Sequence, residues 1–150
     1  MISRLWYRSV LTIALPLFSW TGSLAQSASP VDVQSIDAIL TATYDAISGA
    51  AGEKRDWDRF RSLFAEGATL SFVGQGQDGK LGRTVMTPDS YVERSGASLE
   101  ANGFFEIEIH RQSERFGNIA HVFSTYESRR EESDPQPFAR GINSFQLMFD

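Results

Sequence analysis

Between Val31 and Ser48, Val33, Ile36, Ile39, Leu40, Thr43, Tyr44 and Ile47 fall at helical spacing, which predicts a first helix. Gly49-Ala50-Ala51-Gly52 breaks the pattern and predicts a flexible elbow. In Lys54–Gly74 the stripe Trp57, Phe60, Leu63, Phe64 predicts a short amphipathic helix, with Gly67 as a left-handed cap. Ala68–Phe72 then alternates as a half-buried strand does. The turn Gly74–Gly79 sends Lys80–Met86 back as a second strand.

Thr87-Pro88-Asp89 carries three helix-start signals: a capping hydroxyl, a proline at the first helical position and an acid at the positive end of the dipole. The third helix should run to about Ala101, with Asn102-Gly103 closing it. Phe104–Phe116 and Ile119–Arg130 read as a long hairpin around Gly117-Asn118. After the loop Asp134–Pro137, Phe138–Phe149 reads as the last strand. The order ααββαβββ predicts an α+β domain with a mostly antiparallel sheet.

A two-residue turn places Phe116 opposite Ile119. Unbroken pairing then puts Ile107, Ile109, Arg111, Ala120, Val122, Ser124 and Tyr126 on one face. Glu106, Glu108, His110, Glu114, His121, Phe123, Thr125 and Glu127 share the other. The first face is the more apolar near the strand middles, so it should meet the helices. A one-residue slip would reverse one strand's assignment.

The first 25 residues read as a signal peptide. Arg4 and Arg8 make a positive start, Val10–Trp20 is apolar, and Ser23-Leu24-Ala25 is a small-x-small cleavage site before Gln26. The apolar run is short for a membrane span of about 20 residues. The chain has no cysteine, which excludes a lipid-modified cysteine anchor and any disulfide. Export to the periplasm or outside the cell is the expectation. Gln26–Pro30 is then a polar linker, and residues 31–150 form one domain with enough surface to bury a core unaided. Losing Arg4 and Arg8 takes the formal net charge from −5 to −7, which argues against nucleic acid and anionic lipid surfaces as partners.

Few residues carry a chemical motif. His110 and His121, with Glu108, Glu114 and Glu127 nearby, could form an acid–base pair or half a metal site, but no third convergent ligand is evident. No metal or cofactor is expected. Gly74–Gly79 lacks the following Lys-Ser/Thr of a phosphate cradle. Ser124 has no nucleophile elbow and no base on its expected face. Of Arg111, Arg129 and Arg140, the last is the candidate carboxylate clamp, beside Gly141 and near Asn143.

The helix–strand junction Lys54–Gly74, the helix bearing Tyr44, the Thr87-Pro88 helix and the run from Gly117 to Leu147 together resemble the NTF2-like superfamily. The resemblance is to its SnoaL-like, ketosteroid-isomerase-like and DUF4440-type exported members. It implies a cone: three helices in the N-terminal half, packed on a curved, mostly antiparallel sheet. It also implies a further terminal strand, so that the chain reads as C-terminally truncated. By that alignment Tyr44 falls at the isomerase tyrosine, while the base and second-acid positions fall on Phe72 and Phe145, which move no protons.

The expectation is therefore a pocket for a small apolar molecule, lined from Tyr44, Phe72, Ser124, Tyr126, Arg140, Asn143 and Phe145. One alternative is a SnoaL-like lyase, isomerase or cyclase using Tyr44 or Tyr126 as acid. Another is a dimerisation or assembly module. A homodimer through the outer sheet face, around Phe123 and Thr125, is expected in each case.

Overall fold

The computed structural model describes residues 27–76 and 78–149. The expected signal peptide lies outside the described residues. The elements run α1 (Pro30–Val33), α2 (Ile36–Ile47), α3 (Trp57–Ser62), β1 (Leu70–Gln75), β2 (Leu81–Met86), α4 (Pro88–Asn102), β3 (Phe105–Phe116), β4 (Ile119–Arg129) and β5 (Ala139–Met148). Among the described residues no helix is long and apolar enough to cross a membrane.

Caps set most of these boundaries. The first expected helix is split because the Ser35 hydroxyl accepts from the Ala38 amide and starts α2 afresh. Asp56 caps α3 through the Arg59 amide, and Thr87 caps α4 through the Ser90 amide, ahead of Pro88. Gly103 ends α4 at φ 68°, and a Cβ there would lie 2.5 Å from the Arg130 carbonyl oxygen. Only glycine fits that approach without displacing backbone.

The core lies where α2, α3 and α4 meet. Phe60 is buried with Ala46 and Ile47, and Trp57, Phe64, Leu70, Tyr91, Val92 and Phe104 close around them. Phe60 stacks on Tyr91 at 5.3 Å and meets Trp57 edge-on at 5.9 Å. Burying such a ring stabilises the fold by about 1.5–3 kcal/mol.

The elbow before α3 is held by a side chain rather than by its glycines. Arg55 is buried and donates to the carbonyls of Ile47, Gly49, Ala50, Glu53 and Leu99. One guanidinium thus satisfies the carbonyl ends of α2 and α4, where a cation also complements the helix dipoles.

The strands do not build the expected cone. β1 and β2 form a two-stranded antiparallel sheet, and β3, β4 and β5 form a separate three-stranded one. No strand among the described residues joins the two, and neither sheet closes. Val73 and Leu81 stay exposed, so β1–β2 is a projecting hairpin rather than part of a continuous curved layer. Among the described residues the α+β NTF2-like cone is accordingly replaced by four helices and two small flat sheets.

The long hairpin also departs from unbroken pairing. From Phe116↔Ile119 to His110↔Thr125 the register is as expected, but a β-bulge falls between Glu108 and His110. Beyond it Glu108 pairs with Tyr126 and Glu106 with Ser128. One extra residue reverses the faces of the strand's first half. Glu106 and Glu108 turn toward the helices, while Ile107 and Ile109 remain exposed. The face assignment of those four residues is thereby corrected. β4 and β5 pair over ten residues without interruption, so Ser124 stands beside Asn143, Tyr126 beside Gly141 and Val122 beside Phe145.

Candidate functional site

The bulge and α2 together create a polar network on the inner face of the larger sheet. α2 lays Tyr44 against β4, where its hydroxyl lies 2.7 Å from Ser124 Oγ. Ser124 Oγ donates to Glu108 Oε1 at 2.5 Å. That hydroxyl has one proton and gives it to the carboxylate, so Tyr44 must be the donor to Ser124. Glu108 is held in turn by the Arg111 guanidinium, which also pairs with Asp37 at the start of α2.

A second branch leaves Tyr44 through Asn143. The amide nitrogen of Asn143 donates to Tyr44 Oη at 3.3 Å and to Glu106 Oε1 at 3.0 Å. Ser128 donates to Glu106 Oε2 at 3.2 Å. Glu106 has no arginine or lysine partner among the described residues, whereas Asp32, Glu108 and Glu127 each have one.

These surroundings separate the two carboxyls electrostatically. Burial raises the Glu106 pKa above its ordinary value, and the hydrogen bonds from Asn143 and Ser128 oppose this only in part. Burial also pushes Glu108 upward, but the hydrogen bonds from Arg111 and Ser124 and the charges of Arg111 and His110 outweigh it. Its pKa is lowered. Burial raises the Tyr44 phenol, with the nearby Glu106 and Glu108 charges acting in the same direction.

Tyr91 from α4 and Tyr126 from β4 complete the surroundings of Glu106. Burial pushes the Tyr91 phenol up to about 12, with the Glu106 charge contributing, and Tyr126 is raised by the same two causes. Tyr91 stacks on Phe72 at 6.2 Å, which brings β1 to this side of the molecule. Glu106, Tyr126, Asn143 and Phe145 all remain half-buried, so the inner face next to Glu106 keeps contact with solvent. Gly141 matters to its shape. A Cβ there would sit 2.5 Å from the Tyr126 hydroxyl, so the absent side chain lets that ring lie across β5.

Of the residues proposed from sequence, Tyr44, Ser124 and Asn143 are joined by hydrogen bonds, and Phe145 meets Tyr44 edge-on at 6.2 Å. Tyr126 shares their face, and Phe72 reaches the group through Tyr91. Arg140 does not join them. It stands on the outer face, paired with Glu127 beside Arg129. His121 is also on that face, bonded to Ser144 at 2.9 Å and edge-on to Phe123, and His110 is exposed. Among the described residues no three His, Cys, Asp or Glu side chains converge on a metal position.

The apolar-ligand reading is corrected by this arrangement. The cone it required is not formed, and the expected lining residues build a polar network instead. A cavity of about 590 Å³ lies elsewhere, between α2, the end of α3 and the far end of β4–β5, lined by residues including Ile36, Leu63, Phe64 and Leu147. The SnoaL-like lyase, isomerase or cyclase reading and the assembly-module reading rested on the same cone and fall with it. Tyr44 is moreover unsuited to act as an acid, because its proton is committed to Ser124.

Sequence reasoning put Glu106 and Glu108 on the outer face, Glu108 beside the histidines, and a signal against that placement was present. Unbroken pairing would set Glu108 directly opposite Glu127, a like-charge pair that destabilises a sheet. The bulge removes that clash. No protein-family model, curated protein or solved structure matches the chain.

Proposed function

We propose that this protein is an acid–base catalyst acting on a small polar substrate in the recess beside Glu106. Glu106 is the group that takes up and releases the proton. Asn143 and Ser128 orient its two oxygens, and Glu108 is the fixed anion that locks Ser124 and Tyr44. One observation carries this reading: two carboxyls on one face of β3 have environments that drive their proton affinities apart. Such a split is how neighbouring carboxyls acquire different acid–base roles.

The test is a carbon-detected NMR titration of the glutamate carboxyls, followed by a turnover screen with Glu106→Gln. Glu106 should titrate above an ordinary glutamate and Glu108 below one. Any turnover found should fall by on the order of 10²–10⁴ in the variant. A Glu106 that titrates in the ordinary range overturns the reading.

The outer face of the larger sheet supports a homodimer. Phe123 and Ile142 expose 48% and 66% of their surface there, and Ile107 and Met148 are also exposed. Strands of this length give a face roughly 35 Å by 14 Å, about 490 Å² per partner, at the small end of specific interfaces. Export, with cleavage after Ala25, is proposed from the Arg4/Arg8, Val10–Trp20 and Ser23-Leu24-Ala25 arrangement.

A further inference from the structure

The hydrogen-bonding capacity around Glu106 is lopsided. Asn143 spends its amide donors on Tyr44 and Glu106, Ser128 spends its hydroxyl on Glu106, and Ser124 spends its own on Glu108. Tyr44 donates to Ser124. What remains is mainly acceptor: the second lone pairs of the Glu106 oxygens and the phenol oxygens of Tyr91 and Tyr126. Those two hydroxyls have no partner among the described residues, while no fully buried side-chain nitrogen or oxygen lacks one. They therefore keep contact with solvent. A carboxylate or phosphate entering here would meet a glutamate and find only two phenol protons.

We infer that the recess takes a small protonated amine, with its ammonium group on Glu106 and the Tyr91 and Tyr126 oxygens. An ammonium brings three donors and no acceptor, which is the complement of the acceptors that remain there. It also supplies the counter-charge that Glu106, unlike Asp32, Glu108 and Glu127, does not have among the described residues. The aromatic walls suit it, since a cation is attracted to the faces of tyrosine and phenylalanine rings.

The inference rests on Glu106 being the working group of the recess, and it adds a linkage to pH. The groups facing Glu106 are Tyr44 from α2, Tyr91 from α4, Tyr126 and Ser128 from β4, Asn143 from β5 and its strand neighbour Glu108. The phenols stay neutral well above pH 7, so Glu106 is the one that ionises on binding. Where it starts protonated, it releases that proton to solvent as the ammonium arrives. Apart from that carboxyl O–H bond, whose proton passes to the buffer, no covalent bond changes. Affinity should then rise about tenfold per pH unit until the free Glu106 is ionised, and level off above.

Calorimetric titration of the full chain with n-butylammonium chloride, butan-1-ol and sodium butyrate tests this. The expected result is binding of the amine at least tenfold tighter than either alternative. Up to one proton should be released per amine, read from buffers of different ionisation enthalpy. Glu106→Gln should lose most of that preference. Butanol or butyrate binding as well as the amine overturns the inference, and that comparison needs only the wild-type protein. If no amine binds while Glu106 still titrates high by NMR, the amine inference fails and the acid–base reading survives. If Glu106 titrates normally but the amine binds through it, the acid–base reading fails and the amine inference survives without its proton release.

Discussion

Glu106 and Glu108 stand two positions apart on the helix-facing side of β3, and their surroundings push the two carboxyls in opposite directions. The difference comes from their partners. Among the described residues Glu108 has a guanidinium and a hydroxyl, whereas Glu106 has an amide and a hydroxyl.

That contrast has opposite consequences for stability against pH. The Glu106 pKa is raised on folding, so as pH climbs from the ordinary glutamate value the unfolded chain ionises first and the fold loses stability. Glu106→Gln removes that loss and should gain on wild type across the interval. Glu108 is lowered, so its contribution is present above the ordinary value and disappears as pH falls through the folded one. Glu108→Gln should cost about 1.5–3 kcal/mol at neutral pH, as for a lost charged hydrogen bond. Urea melts between pH 4 and pH 8 measure both. Parallel curves for wild type and Glu106→Gln would remove Glu106 as the source.

Ser124→Ala should be the costlier of two small deletions along the chain Tyr44–Ser124–Glu108. It strands a buried phenol and takes a donor from Glu108, at about 1–3 kcal/mol. Tyr44→Phe leaves Ser124 still bonded to Glu108 and should cost less, near 1 kcal/mol. The double variant should fall short of the sum, because the two share one hydrogen bond. Strict additivity in denaturant melts would mean the hydrogen bonds do not form one network.

Phe123→Glu should convert the proposed dimer to a monomer by placing an unpaired charge on the outer sheet face. Light scattering at micromolar concentration reads this directly. A monomeric wild type would remove the interface.

Gly141→Ala should move the Tyr126 ring, since its new methyl group would occupy the place of the hydroxyl and the ring edge. The cost should be about 1–3 kcal/mol as overpacking. The Tyr126 ring signals should shift more than those of Tyr44. An unshifted Tyr126 spectrum would show that the ring does not depend on the glycine.

Export can be checked by N-terminal sequencing of protein from the producing cell. The expected first residue is Gln26, in a periplasmic or extracellular fraction. Intact Met1 in a cytosolic fraction would refute it.

Some element boundaries were legible because local chemistry sets them. Thr87-Pro88 starts α4 whatever the rest of the chain does, whereas the Ser35 and Asp56 caps that start α2 and α3 went unread. The association of strands into sheets was not legible, because alternation within a strand says nothing about which edge it finds. Among the described residues β1 and β2 pair with each other and with no other strand. The site was half legible. Tyr44, Ser124 and Asn143 were readable as polar positions on an inward stripe, but their carboxylate partners depended on one extra residue near Ile109. Arg55 gave no periodic signal, since what it binds is backbone.

Arg55 ties together segments that are far apart in sequence. Its guanidinium closes the elbow after α2 and also reaches Leu99 near the end of α4, while Glu100 accepts from the Arg55 amide and the Trp57 indole. The elbow cannot keep its shape if α4 departs, and α4 loses a terminal partner if the elbow opens. The amides of the elbow and of the last turns of α4 should therefore exchange with solvent in a single concerted opening, as one cooperative unit, despite the roughly forty residues between them.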